Sequence, residues 1–167
     1  MRIGVLSDTH NNIGNLRKAL QIFREKGITT LVHCGDMANI ATAQQMAGFN
    51  VIYVSGNTDS PPEAVKDAVW LLDPNHNEIG NVYSGELDGV KIAATHGHLT
   101  HELDKLIKTN KYAFVFHGHT HRKRNETIKQ TRVINPGALG GARYEPRSIA
   151  IVDLVEGHVK FLHVTNY

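Results

Sequence analysis

The order of elements along the chain predicts an α/β sandwich of two packed sheets with helices outside. Three observations carry this. The first third alternates strand-like and helix-like segments. After Pro61-Pro62 the pattern turns mainly to hairpins. No linker, internal repeat or low-complexity tract separates the two parts.

Residues 2–7 form a short β-branched, apolar run ending in a polar turn, which reads as a buried strand. Asn11-Asn12 can start a helix, and Ile13, Leu16, Leu20 and Phe23 follow at spacings of three and four, closed by Gly27. Residues 29–33 read as the second strand, 40–47 as a short helix and 51–54 as the third strand. Residues 82–87 and 90–95 make a hairpin, because Asp88-Gly89 supplies the positive φ angles of a tight turn. Leu99, Leu103, Leu106 and Ile107 share one helical face, and 113–116 is another strand. Two more hairpins pair 126–128 with 131–134 and 148–154 with 158–164.

With 167 residues, 41% hydrophobic and 20% charged, the chain matches one globular domain spanning 1–167 and excludes a disordered or fibrous protein. A formal charge of only +2 gives no ground for a nucleic-acid or membrane partner. The single cysteine, Cys34, excludes an internal disulfide and a thiolate zinc site, and suits a reducing, cytoplasmic setting. Cys34 reads as a small buried apolar residue. The run Ile3 to Leu6 meets Asp8 too soon for a signal peptide.

Histidine is the outlier. There are 11, and His96, His98, His101, His117, His119 and His121 lie in one short window, so a chemical explanation is needed. Candidate metal-binding groups follow the apolar strands, where open α/β sheets place their sites: Asp8 and His10, then Asp36, Asn57, His96 with His98, and His119 with His121. Each fragment by itself is an ordinary turn or cap signal. Five fragments in register with five strand ends predict a metal site.

Asp8-Thr9-His10, Gly35-Asp36, Gly56-Asn57-Thr58-Asp59, Thr95-His96-Gly97-His98 and Gly118-His119-Thr120-His121 resemble the five motifs of calcineurin-like metallophosphoesterases. Their order and spacing are most similar to the small stand-alone bacterial and archaeal phosphodiesterase subgroup. The resemblance runs from Met1 through Asn135-Pro136-Gly137. It implies a four-layer α-β-β-α sandwich with two mixed sheets, holding two divalent metals. It implies that one metal takes Asp8, His10, Asp36 and His121, and the other Asp36, Asn57, His96 and His119, with Asp36 bridging. Asp36 and Asn57 are then catalytic as well as ligating. A shared anion is what two dications within about 4 Å require. Two carboxylates and a bridging hydroxide would leave the cluster at about +1, attractive to a phosphoryl group. Four imidazoles favour a transition metal, manganese foremost, with Ni, Fe, Co or Zn also admitted, over Mg or Ca.

The reaction so implied is hydrolysis of a small phosphodiester by in-line attack of the bridging hydroxide. His98 is not needed as a ligand and is assigned to phosphate contact or proton transfer, the competing role being orientation of His96. Asp59 is a candidate to support the ligands. Larger relatives place a histidine after the third-motif Asn, where this chain has Thr58, so leaving-group protonation has no obvious donor there. Arg122-Lys123-Arg124 reads as a solvated strand end. Arg143 and Arg147 flank a glycine-rich loop, and a place outside the substrate contacts is favoured for them. Trp70, Leu71 and Leu72 read as core or as a homo-oligomer contact. The alternatives are a catalytically weak scaffold of the same fold, such as the retromer subunit, and a nuclease using the same metal core. The first should show eroded ligands, whereas all seven positions hold competent residues. The second usually carries extra segments for which 167 residues leave little room.

Overall fold

A computed structural model describes residues 1–164. The first half alternates as expected: β1 (Arg2–Leu6), α1 (Ile13–Glu25), β2 (Thr30–His33), α2 (Ile40–Ala43) and β3 (Asn50–Val54). Next come α3 (Pro62–Trp70), β4 (Glu78–Gly80), β5 (Val82–Leu87), β6 (Val90–Thr95), α4 (Thr100–Lys108) and β7 (Phe114–Phe116). The chain continues with β8 (Lys123–Ile128), β9 (Thr131–Pro136), β10 (Ser148–Asp153) and β11 (Val159–His163). The described residues form a six-stranded sheet, β11-β10-β1-β2-β3-β4, and a five-stranded sheet, β5-β6-β7-β9-β8. Both are mixed. β1, β2 and β3 run parallel in the first, and β6, β7 and β9 in the second.

Side-chain alternation builds four layers from these two sheets. Ile3 and Val5, Val32, Ile52 and Val54 point from the first sheet onto Ile92, Ala94, Phe114 and Phe116 of the second. Leu6, Leu31, Val51 and Tyr53 face the other way, onto Leu16, Leu20 and Phe23 of α1 and Val65 and Val69 of α3. On the far face of the second sheet, Ala93, Val115 and Val133 receive Leu103, Leu106 and Ile107 of α4. The α-β-β-α order is thus written in period-two strands with both faces buried.

Local chemistry explains the boundaries. Asn12 caps α1 by accepting from the Asn15 amide at 3.0 Å, and Gly27 follows the helix at φ +67°. Asp88 and Gly89 turn the β5–β6 hairpin with φ of 51° and 77°.

Three expectations need correction. The helix expected over 40–47 is four residues of α-helix followed by a 3-10 turn, Gln44–Met46. Helix α3 and strand β4 were not anticipated, because α3 buries only Val65 and Val69 and β4 is three residues with no buried one. Of the two readings of Trp70, Leu71 and Leu72, the core one fails for Trp70 and Leu71, which are 44% and 67% exposed, and holds only for Leu72, which packs against the interior.

Candidate metal centre

Five strand ends from the two sheets meet at one rim. Asp8 and His10 leave β1, Asp36 leaves β2, Asn57 leaves β3, His96 and His98 leave β6, and His119 and His121 leave β7. Backbone pairing continues past the strands and zips the first two loops together. The amides of Asp8, His10 and Asn11 donate to the carbonyls of Gly35, Asp36 and Met37 at 2.9, 2.9 and 3.3 Å. Five of the candidate ligands, Asp8, His10, Asp36, His119 and His121, hold φ between 44° and 68°. Non-glycine residues occupy that region seldom, and five of them gathered at one rim is a concentration of the kind found at functional sites.

Two groups of ligand atoms result, Asp8-His10-His121 and Asp8-Asp36-His96, each gathered within 4.8 Å. In the first, His10 Nε2 lies 3.1 Å from His121 Nε2, which lies 3.2 Å from Asp8 Oδ1. In the second, His96 Nε2 lies 3.3 Å from Asp36 Oδ2 and 3.1 Å from Asn57 Oδ1. Asp36 Oδ2 is also 3.5 Å from His10 Nε2, so one carboxylate oxygen faces both groups. The His119 ring approaches His96 edge-on, centroids 5.1 Å apart.

Neighbours fix how these groups point. His96 Nδ1–H donates to the Cys34 carbonyl at 2.7 Å and His121 Nδ1–H to the Ala142 carbonyl at 2.8 Å, which leaves both Nε2 lone pairs facing the site. The Thr58 amide donates to Asp36 Oδ1 at 2.8 Å, and the His119 amide to Asp8 Oδ2 at 3.0 Å. Among the described residues, Asp8 Oδ1 is buried with no hydrogen-bond partner. An orphaned carboxylate oxygen beside two Nε2 atoms is what a bound cation would satisfy, so these residues fit a metal. Two glycines make the crowding feasible. A Cβ at Gly56 would overlap the Asp36 carboxylate, and one at Gly141 (φ +62°) would press on the rings of His10 and His121.

The electrostatics follow from this packing. Burial opposes ionisation of Asp36, but His96 and the Thr58 amide outweigh it and hold the carboxyl well below its usual range. The Asp8 carboxylate raises His121, and Asp36 raises His96 against the pull of burial. Burial, then His96 and His119, lower His98.

The histidine cluster divides. His96, His98, His119 and His121 reach the rim, whereas His101 is exposed on α4 beside Glu102 and His117 is buried, pushed down to about 4 by desolvation. His98 makes no hydrogen bond to His96, whose orientation comes from Cys34; its own Nδ1 is buried and has no partner among the described residues. The ring lines an open cavity of about 450 Å³ with Ser55, Pro62, Lys66, Val82 and Leu99. Asp59 supports two loops, accepting from the amides of Gly56 and Ala38 at 2.7 and 2.8 Å and from the Tyr53 hydroxyl. Asn135 braces the His119 loop by donating to the Gly118 carbonyl at 2.8 Å and Thr120 Oγ1 at 3.1 Å. Arg147 turns its guanidinium onto the carbonyls of Gly140 and Gly141, holding the loop under His10 and His121. Arg122 lies over the Tyr144 ring, 4.9 Å from its centroid.

Comparison with known proteins bears on the family and the fold. The profile of the calcineurin-like phosphoesterase superfamily domain matches residues 1–157. Phosphodiesterase MJ0936 of Methanocaldococcus jannaschii is 37% identical over 156 residues, 92% of this chain and 93% of that one. A solved archaeal phosphodiesterase superposes with a TM-score of 0.91 at 32% identity, covering 98% and 99% of the two chains. A Vps29 single mutant from Entamoeba histolytica, 19% identical over 100% of both chains with a TM-score of 0.64, bears on the fold alone.

Proposed function

Because the chain belongs to the calcineurin-like phosphoesterase superfamily and is therefore a phosphoric ester hydrolase, we propose that it is a dinuclear-metal phosphodiesterase. Asp8, His10 and His121 would hold one divalent ion, Asn57, His96 and His119 the other, and Asp36 both. The observation that carries this reading is the position of Asp36 Oδ2, 3.5 Å from His10 Nε2 and 3.3 Å from His96 Nε2. A carboxylate oxygen between two imidazole sets is the anion that two neighbouring dications need. The imidazole-rich set suits a transition metal, with manganese as the leading choice and Ni, Fe, Co or Zn within its range.

When bound, such a pair lowers the pKa of water and offsets charge on phosphoryl oxygens. The chain supplies the rest. The carbonyls of Cys34 and Ala142 keep the imidazole lone pairs aimed. The Thr58 amide holds Asp36 in place, so the third motif contributes positioning at the position where a side-chain acid is absent. His98 lines the open cavity beside the ligands, and its ring would contact the phosphoryl oxygens or the leaving oxygen. The cavity beside it has room for the second ester arm that distinguishes a diester from a monoester.

The test is elemental analysis after reconstitution with excess Mn, followed by assays on bis(p-nitrophenyl) phosphate and p-nitrophenyl phosphate. Two metals per chain and a preference for the diester are expected. A single metal per chain at saturation would sink the dinuclear reading, and a preference for the monoester would sink the diester reading.

A further inference from the structure

Beneath the rim lies a histidine that no ligand set includes. His33, the last residue of β2, is fully buried. The Gly35 amide donates to its Nδ1 at 3.2 Å, and its Nε2 lies 2.9 Å from Thr9 Oγ1. An amide can only donate, so Nδ1 is the acceptor, the proton sits on Nε2, and the Thr9 hydroxyl oxygen accepts it. Without His33 the buried Gly35 amide would lose its partner. Thr9 stands between Asp8 and His10, and Gly35 immediately precedes Asp36. The ring also packs edge-on against Tyr53, centroids 5.7 Å apart, and Tyr53 donates to Asp59, which holds the Gly56 and Ala38 amides. One side chain therefore touches the β1 and β2 loops directly and the β3 loop through Tyr53.

We infer that His33 is a positioning residue, whose ring ties the Asp8-Thr9-His10 loop to the Gly35-Asp36 turn and sets the spacing of the two metal half-sites. The inference rests on the proposal that Asp8, His10 and Asp36 hold metal. The backbone pairs between these loops fix their separation, while His33 fixes the Thr9 side chain and the Gly35 amide, and hence the rotation that aims the flanking ligands. Its loss should misaim ligands without unfolding the loops. Supporting contacts of this kind are worth about 10–100-fold in metal affinity, and the surviving backbone pairs place His33 at the lower end.

The two ring nitrogens can be removed separately. In His33→Asn the amide oxygen stands near the Nδ1 position and keeps an acceptor for Gly35, but cannot reach Thr9. In His33→Gln the terminal amide reaches toward Thr9 and leaves Gly35 without an acceptor. Mn²⁺ titration of the metal-free proteins by calorimetry, with metal counts per chain and apo melting curves, reads the result. His121→Ala identifies which binding step belongs to the first half-site. His33→Asn should weaken that step about 10-fold and the other by less than about 3-fold, whereas His33→Gln should weaken both about 10-fold. Unchanged affinities in both variants would overturn the tie, as would equal effects at both steps in His33→Asn. So would losses that only follow a lowered apo melting temperature. Should both variants fail to fold, Thr9→Val decides. It deletes the hydroxyl alone and should reproduce the His33→Asn pattern, and wild-type binding there would overturn the inference. A wild-type chain that bound only one metal would instead overturn the dinuclear proposal on which the tie depends.

Discussion

The two halves of the candidate centre are built differently. Asp8, His10 and His121 converge from two loops, and all three hold left-handed φ angles of 52°, 44° and 57°. Their approach is imposed from below by the loop containing Gly141, which Arg147 fastens through the Gly140 and Gly141 carbonyls. His96, in contrast, stands fully buried immediately after β6, with its Nδ1 on the Cys34 carbonyl and its Nε2 toward Asn57 and Asp36. Neither His96 nor Asn57 has a positive φ. Its companion His119 contributes a ring that makes no hydrogen bond among the described residues. One half-site is thus held entirely by left-handed loop residues that packing over-determines, the other by a rigid imidazole at a strand end with His119, at φ 68°, as its single left-handed histidine. Asp36 joins them.

The comparison breaks first at the shared carboxylate. Asp36→Asn should lower turnover by on the order of 10³ and reduce the metal count below two per chain, because the group that offsets repulsion for both ions loses its charge. Metal analysis beside activity on the same samples reads this. Two tightly held metals in Asp36→Asn would show that the halves do not share the carboxylate.

A smaller and one-sided effect should follow at Gly141. Alanine there meets both a φ of +62° and a Cβ position within 2.5–2.8 Å of ring atoms of His10 and His121. Gly141→Ala should cost about 1–3 kcal/mol of stability and weaken the first half-site about 10-fold or more, sparing the step assigned to Asn57, His96 and His119. Equal weakening of both steps in calorimetry would mean that the two halves do not rest on separate supports.

The same contrast explains what could be read from the sequence. The candidate ligands were legible as candidates, because Asp8, Asp36, Asn57, His96 and His119 follow apolar strands whose parallel order brings their ends together. The layers were legible too, since Ile3, Val5, Val32, Phe114 and Phe116 obey period two. What holds the ligands was not. Cys34 and Ala142 act through carbonyls and Thr58 through its amide, and backbone atoms carry no residue code. Arg147 resembles any surface arginine until the Gly140-Gly141 carbonyls are seen beneath it. His33 hides inside a strand pattern, where a histidine reads as one more β residue. Helix α3 escaped because two buried valines make a faint periodicity.

The smallest expected effect concerns whether the tie between the halves depends on a neutral ring. Burial pushes the His33 pKa down to about 4 from an ordinary 6.5. Between those values the unfolded chain takes up a proton that the folded chain refuses, so this residue makes stability rise with pH from about 4 to 6.5 and adds no slope above. Going down from pH 7 to pH 5 should therefore cost the metal-free protein about 2 kcal/mol through His33 alone, at 1.36 kcal/mol per pH unit below 6.5. Other histidines and carboxylates add slopes of their own, which a variant lacking only this ring shares. Urea unfolding of wild type and His33→Asn with chelator present, at pH 7 and pH 5, isolates the difference. The variant should start less stable at pH 7 and lose about 2 kcal/mol less on acidification. Parallel pH dependences would mean that the ring accepts a proton in the folded state without opposing it. In that case the Gly35 amide would have to find another acceptor, and the tie from β2 to the Asp36 turn would not depend on Nδ1.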